Sequence, residues 1–267
     1  FEPQGPSVLE SRGRRERFAS APARLWLPEG CVRTGILADI HSNVVALDAV
    51  LEHAAGEDIG RWFCLGDVIG YGPDPGPCLA RLREIGAVSV QGNHEAAYLG
   101  LETGPFNRIA DAAIQYCRRI LTPEERSQVE EFADTLSEGT DLGFVHGSIF
   151  DRDEYLFQRS QMVATLSAQP TWITFFGHTH QQLLFDGETL VGGPASVELD
   201  RGERYIVNPG SVGQPRDGDP RAAYAWIDTE TDELELLRVA YDVQEVVRRV
   251  ENVGLPSYLG ERLFQGR

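Results

Sequence analysis

Lysine is missing altogether, and every one of the 24 basic residues is arginine. The absence reads first as genomic composition bias and second as adaptation. Long apolar runs are missing too. No stretch approaches the ~20 apolar residues that a bilayer-spanning helix needs, so a soluble protein with no membrane partner is expected. Cysteine is scarce. Cys31, Cys64, Cys78 and Cys117 are scattered without a CxxC pair, which speaks against a disulfide framework and for a reducing, cytoplasmic setting. Cys64 lies inside an apolar run and reads as core. Positive charge is short as well: 24 basic against 41 acidic residues leave a formal charge of -17. Such a surface repels polyanions, so extended nucleic acid is excluded as a charge-driven partner. A local site can still take a phosphate if bound metal ions reverse the field there.

What is present is an ordinary globular composition, 42% hydrophobic and 24% charged. Residues 1–30 are rich in Pro, Ser and Arg, show no periodicity and lack the apolar core of a signal peptide. They are expected to be a flexible or loosely packed extension. Residues 31–255 read as one domain, with no internal repeat and no linker, and 256–267 as a tail. Within the domain, short apolar runs alternate with helical patterns. Strands are expected at 34–38, 61–65, 87–91, 142–145 and 172–176. Helices are expected at 43–55, 77–85, 107–121, 123–136, 159–168 and 243–250. Thr122-Pro123-Glu124-Glu125 combines a cap, a first-turn proline and an acidic first turn, a strong helix start. After Gln181, segments at 183–186, 205–207, 222–227 and 234–239 read as antiparallel strands. The pattern is that of a layered α/β domain with mixed sheets.

The chemistry sits at the strand ends. Strand 34–38 runs into Asp39-Ile40-His41, strand 61–65 into Gly66-Asp67, and strand 87–91 into Gly92-Asn93-His94-Glu95. Strand 142–145 ends in His146-Gly147, and strand 172–176 in Gly177-His178-Thr179-His180. Ligands of open α/β sheets bind beyond the carboxyl ends of the strands, so these residues can converge on one pocket. Each motif alone has a plain reading: Asp-x-His a surface pair, Gly-Asp a turn, Gly-Asn-His-Glu a capped helix start. Their ordered recurrence at five strand ends does not. Four imidazoles, two carboxylates and an amide suit Mn, with Fe, Zn, Ni or Co as alternatives, and are too many for one tetrahedral ion. Two divalent ions sharing a carboxylate fit better. His53, near a helix C-terminus, is given no role.

Taken together, the five blocks resemble the signature of the calcineurin-like metallophosphoesterases, over residues 33 to about 240. DIHSN, GDVIGYGPDP and NPGSVGQPRDGDPRAAY are similar to the small bacterial and archaeal phosphodiesterase branch. The resemblance implies a four-layer α/β/β/α sandwich around two mixed sheets. It also implies one metal on Asp39, His41, Asp67 and His180, and a second on Asp67, Asn93, His146 and His178. His94 matches the non-ligand histidine that faces the leaving group. The implied reaction is attack of a metal-activated hydroxide on a phosphate ester, with imidazolium help from His94. A small, nucleotide-like phosphodiester is the expected substrate. A phosphomonoesterase, a nuclease or a catalytically silent assembly scaffold of the same fold are the alternatives. The departure is at GDVIGYG, where Gly70 and Tyr71 replace the acid and arginine of the protein phosphatases, leaving Glu95 or Tyr71 to orient His94. Arg216 is a candidate substrate contact, against the plainer reading of a pair with Asp217 or Asp219. A β-lactamase-type metallohydrolase would need a His-x-His-x-Asp-His block, which is absent. The sequence names no oligomeric state.

Overall fold

The computed structural model describes residues 19–20 and 33–267. The extension expected at 1–30 lies outside the described residues, apart from Ala19–Ser20 (β1), which pair in parallel with Leu136–Ser137. Cys31 lies outside them as well.

Alternation within the strands explains the layering. In β2 (Arg33–Leu37) and β3 (Ile59–Cys64), Ile36 and Phe63 face one way while Leu37, Trp62 and Cys64 face the other. Successive side chains of a strand point to opposite faces, so apolar residues at every position need cover on both sides. One side is covered by helices: α1 (Val44–Ala54), α2 (Pro75–Glu84) and later helices that bring Ala113, Val129 and Val246 contribute to that cluster. The other side is covered by a second sheet.

The chain continues through β4 (Val88–Ser89), α3 (Asn93–Leu99), α4 (Arg108–Ile120), α5 (Pro123–Glu130), β5 (Leu136–Glu138), β6 (Leu142–Phe144) and α6 (Arg159–Ala168). It then runs through β7 (Ile173–Phe175), β8 (Leu183–Phe185), β9 (Leu190–Gly192), β10 (Ala195–Glu198), β11 (Tyr205–Asn208), β12 (Ala222–Asp228), β13 (Glu233–Val239), α7 (Val243–Asn252) and α8 (Tyr258–Glu261). One sheet has the order β10-β13-β12-β2-β3-β4 and the other β1-β5-β6-β7-β11-β8-β9. Both are mixed: β2, β3 and β4 are parallel, as are β6, β7 and β11, while the remaining pairs beyond β1 are antiparallel. Phe63 of the first sheet stacks on Phe144 of the second at 4.0 Å between ring centroids, and Phe144 lies against Phe175. On the outer face of the second sheet, Val145, Phe176, Phe185 and Ile206 pack against Met162 of α6. The result is the four-layer α/β/β/α sandwich.

Three expectations need correction. The helix starting at Pro123, with Thr122 as its cap as read and Glu125 completing a capping box, stops at Glu130, and Leu136 opens β5 instead of closing the helix. Leu136 is the buried first residue of a strand that pairs with β6, so sheet pairing overrides the helical spacing. β11, expected antiparallel, is parallel to β7 and antiparallel only to β8. The stretch read as a tail from 256 onward folds into α8 and a 3-10 turn at Arg262–Gln265. It is pinned by buried Leu259 and Leu263 and by Gly218 N–H donating to the Gly266 carbonyl at 3.1 Å.

The Phe63–Phe144 stack joins the two sheets at a fully enclosed point. Phe144→Ala is expected to lower unfolding stability by about 3–5 kcal/mol in urea titrations. Leu190→Ala, at a position 52% exposed, should stay within about 0.5 kcal/mol of the parent. Equal losses for the two would place the weight of the core elsewhere.

Candidate metal centre

The five polar motifs do converge. Asp39 and His41 follow β2, Asp67 follows β3, Asn93 opens α3 just after β4, His146 follows β6, and His178 and His180 follow β7. Three come from one sheet's strand ends and two from the other's, so the centre sits across the sandwich. Asp39, His41, Asp67 and His180 form one buried group, and Asp67, His146 and His178 another, with ligand atoms within 4.8 Å of one another in each. Asp67 belongs to both. The amide oxygen of Asn93 joins the second group, 3.2 Å from His146 Nε2.

The backbone is bent hard to achieve this. Asp39, His41, Asp67, His178 and His180 all have positive φ, between 48° and 64°. The left-handed region costs an L-residue about 1–2 kcal/mol, least for Asp, Asn and His. Main-chain bonds hold the turns: His41 N–H donates to the Asp67 carbonyl at 2.8 Å, and Gly177 N–H to that of His146 at 2.8 Å. The Glu95 carboxylate accepts from the main-chain N–H groups of Asp67, Ile69 and Gly92 at 2.8–3.0 Å. Glu95 therefore fixes two ligand loops and does not orient His94. The ligands also stitch one another, since His178 N–H donates to Asp39 Oδ2 at 3.1 Å and His94 N–H to Asp67 Oδ1 at 2.9 Å. A Cβ at Gly92 would lie 2.1 Å from Asp67 Oδ1, which requires glycine there.

Ring tautomers give the centre its meaning. Nδ1 of His41, His146 and His180 faces a carbonyl oxygen, of Ile69 at 3.3 Å, Leu65 at 2.7 Å and Gln214 at 2.6 Å. A carbonyl only accepts, so each Nδ1 carries the proton and each Nε2 presents a lone pair. Yet Nε2 of His41 faces Nε2 of His180 at 3.1 Å, and Nε2 of His146 lies 3.5 Å from Asp67 Oδ2. Lone pairs facing each other at that distance call for a cation between them. Burial raises the Asp39 and Asp67 carboxyls, lowers His41 and His180 well below the usual imidazole range, and takes His146 down to about 4. Neutral imidazoles and carboxylates awaiting a counter-charge are what a divalent ion binds, so the residues fit the group the sequence implied.

Two segments whose supporting contacts the sequence did not reveal complete the site. Asn208 donates to the Gly177 carbonyl at 2.9 Å and to Thr179 Oγ1 at 3.0 Å, and Ser211 donates to the Asp39 carbonyl at 2.7 Å. Their signal was a polar run, NPGSVGQ, between two apolar strands. The second is the loop after His146. There Tyr155 stacks on His178 at 3.8 Å, and no spacing pointed to it.

His94 is buried among rings, 4.7 Å from His41, 4.5 Å from Tyr71 and 5.0 Å from Phe106, and its Nδ1 is buried without a hydrogen-bond partner among the described residues. A Cβ at Gly70, where φ is +88°, would sit 2.0 Å from that Nδ1. The space a phosphatase-type acid would fill is thus taken by the imidazole itself, and Tyr71, not Glu95, is the residue that packs against it. Burial and the Arg216 guanidinium push the His94 ring well below the usual imidazole range, against the imidazolium that the resemblance implied. Arg216 makes neither of the ion pairs weighed for it. Asp217 pairs with Arg238 and Asp219 with Arg221, while Arg216 donates to Gln214 Oε1 at 2.8 Å and lies 5.6 Å over the Tyr71 ring. It therefore stands beside the centre as a cation with no carboxylate partner among the described residues.

A sandwich of two mixed sheets with a shared-carboxylate Asp/His cluster across its strand ends defines a metal-dependent hydrolase of the phosphoesterase kind. Residues 32–232 match the model of the calcineurin-like phosphoesterase superfamily domain, and the chain belongs to that family. An uncharacterized protein of Methanocaldococcus jannaschii is 35% identical over 239 residues, covering 87% of this chain and 97% of that protein. A metallophosphoesterase from Sphaerobacter thermophilus superposes with a TM-score of 0.80 at 33% identity, covering 89% of this chain and 100% of that one. A hypothetical protein from Pyrococcus horikoshii shares the fold at a TM-score of 0.73 and 19% identity, over 88% and 98% of the two chains.

Asp67 is the residue both groups need. Adding Mn²⁺ to metal-stripped protein at about 100 times its Kd should raise Tm by about 5–10 °C. Metal analysis should return two ions per chain. Asp67→Ala should lose the pair and most of the Tm gain; two ions per chain in the variant would refute the sharing.

Proposed function

We propose that this chain is a phosphodiesterase acting on small, nucleotide-like esters with two divalent ions, Mn²⁺ foremost and Fe, Zn, Ni or Co as alternatives. The observation that carries the reading is Asp67, common to two ligand groups whose imidazole lone pairs face one another. Ions held there supply Lewis acidity and lower the pKa of water enough to make a nucleophile near neutral pH.

The chain's own residues do the rest. His41, His146 and His180 are locked in one tautomer by main-chain carbonyls, so the donor set is arranged before any ion arrives. Neutral His94, held between Tyr71 and Phe106, presents a ring N–H that stabilises the charge growing on the leaving oxygen. Arg216 contributes a guanidinium to the phosphoryl group, its fork aimed by Gln214. Gly70 and Tyr71 stand where protein phosphatases carry an acid and an arginine, and one fewer phosphate-gripping cation suits a singly charged diester better than a doubly charged monoester. Three buried thiols free of disulfides, Cys64, Cys78 and Cys117, support a reducing, cytoplasmic setting.

The test is hydrolysis of bis-p-nitrophenyl phosphate beside p-nitrophenyl phosphate by stripped protein with and without Mn²⁺. Metal-dependent cleavage favouring the diester is expected; a monoester preference would turn the assignment to a phosphomonoesterase. No turnover with any divalent ion, despite two bound, would favour an assembly scaffold. His94→Ala should keep both ions and lose about 10²–10³ in kcat on an ester with a poor leaving group. Arg216→Ala should lower kcat/KM about tenfold or more, with only partial recovery in Arg216→Lys, whose ammonium lacks the fork.

A further inference from the structure

The segment after His146 brings two aromatic side chains to the edge of the centre. Tyr155 lies flat on His178, with ring centroids 3.8 Å apart and planes 22° from parallel. Phe157 continues the stack on Tyr155 at 5.2 Å and 5°. Three parallel rings thus run outward from a candidate metal ligand. The outer two remain in contact with water: Tyr155 is 41% exposed and Phe157 55%. Two stacked rings left this open beside a site form a contiguous patch and not a lone exposed side chain, and contiguous patches mark contacts.

The loop that carries them is fixed in place. Ser148 N–H donates to the Asp151 carbonyl at 2.9 Å, and Phe150 and Asp151 N–H donate back to Ser148 Oγ at 3.1 Å. Arg152 donates to Gln91 Oε1 at 3.2 Å and to the Glu102 carbonyl at 2.8 Å, tying the loop to the other sheet's strand end and to the segment after α3. Leu156, between the two aromatics, is buried and anchors the loop in the cluster with Met162 and Phe176. A surface held this firmly loses little entropy when something stacks on it.

We propose that Tyr155 and Phe157 form a stacking platform for the nucleobase of a nucleotide whose phosphate lies at the metal centre. The proposal rests on the phosphodiesterase reading and makes the substrate class esters that bear a nucleoside. Every base has a π-face, so a stacking platform accepts any planar base. Tyr155, pressed on His178, sets where the stack begins, and Phe157 offers the open face.

The test is calorimetric titration of the Mn²⁺-loaded protein with AMP and with ribose 5-phosphate, which share sugar and phosphate and differ by the base. AMP is expected to bind about tenfold tighter, as stacking of one base on one aromatic provides. Phe157→Ala should bring the two affinities together, Phe157→Leu should do the same, and Phe157→Tyr should keep the preference, because the π-face and not mere bulk is at stake. Equal affinities in the parent, no detectable AMP binding, or a preference surviving in Phe157→Ala would each overturn the platform. Turnover of bis-p-nitrophenyl phosphate, measured beside it, tests the enzymatic reading separately. Turnover with no AMP preference sinks only the platform. An AMP preference with no turnover of any ester sinks the phosphodiesterase and leaves a nucleotide-binding site.

Discussion

Burying two carboxylates and four imidazoles in one cavity is the constraint to which the rest of this structure answers. Left to themselves, those groups would go neutral or unfold their loops, because a charge removed from water without a partner is costly. The protein instead directs the proton-bearing nitrogen of three rings outward to main-chain carbonyls and turns the lone pairs inward. That choice leaves a cluster of lone pairs suited to a cation. It also explains why so much main chain is committed to the site. The positive-φ residues, the Glu95 carboxylate under three N–H groups and the Asn208–Gln214 segment all serve to keep donors close that would otherwise repel.

The double sheet is what makes such a cavity possible. A single open sheet presents strand ends along one line, whereas here β2, β3 and β4 of one sheet meet β6 and β7 of the other. Asp39 reaches from the first to accept the His178 N–H of the second, so the ligand set is also a clasp between layers. Phe63 stacked on Phe144 performs the same join in the apolar interior. Site and core are two levels of one interface, and disturbing the register of either sheet would move ligands on both sides.

Much of this could be read in the residues alone, for a physical reason. Strand-end Asp, Asn and His are local signals: a short apolar run followed by a metal-binding side chain needs no knowledge of the rest of the chain. Helices with strong starts were equally legible, Arg159–Ala168 to the residue and α5 at its capping box. What escaped depends on partners distant in sequence. Leu136 has helical spacing from α5 but is claimed by β6, and β9 and β10 are strands of three and four residues, too short to show an alternation. Leu259 and Leu263 reach burial only because α7 and the loop around Gly213 lie beneath them. Glu95 was noticed, yet its task as an acceptor for loops 26 and 28 residues away is invisible without the fold.

A protein carrying a formal charge of -17 that binds an anion must reverse its own field over a few ångströms. Arg216 alone cannot do this, since two buried carboxylates adjoin it. Ions filling both ligand groups would turn a locally negative cavity into a positive one, while the surrounding acidic surface continues to repel long polyanions. Under the proposed function, the same electrostatics that would call for metals before a phosphate enters would also favour small substrates. Discrimination among them would then fall to uncharged contacts at the rim, the part the proposed platform of Tyr155 and Phe157 would play.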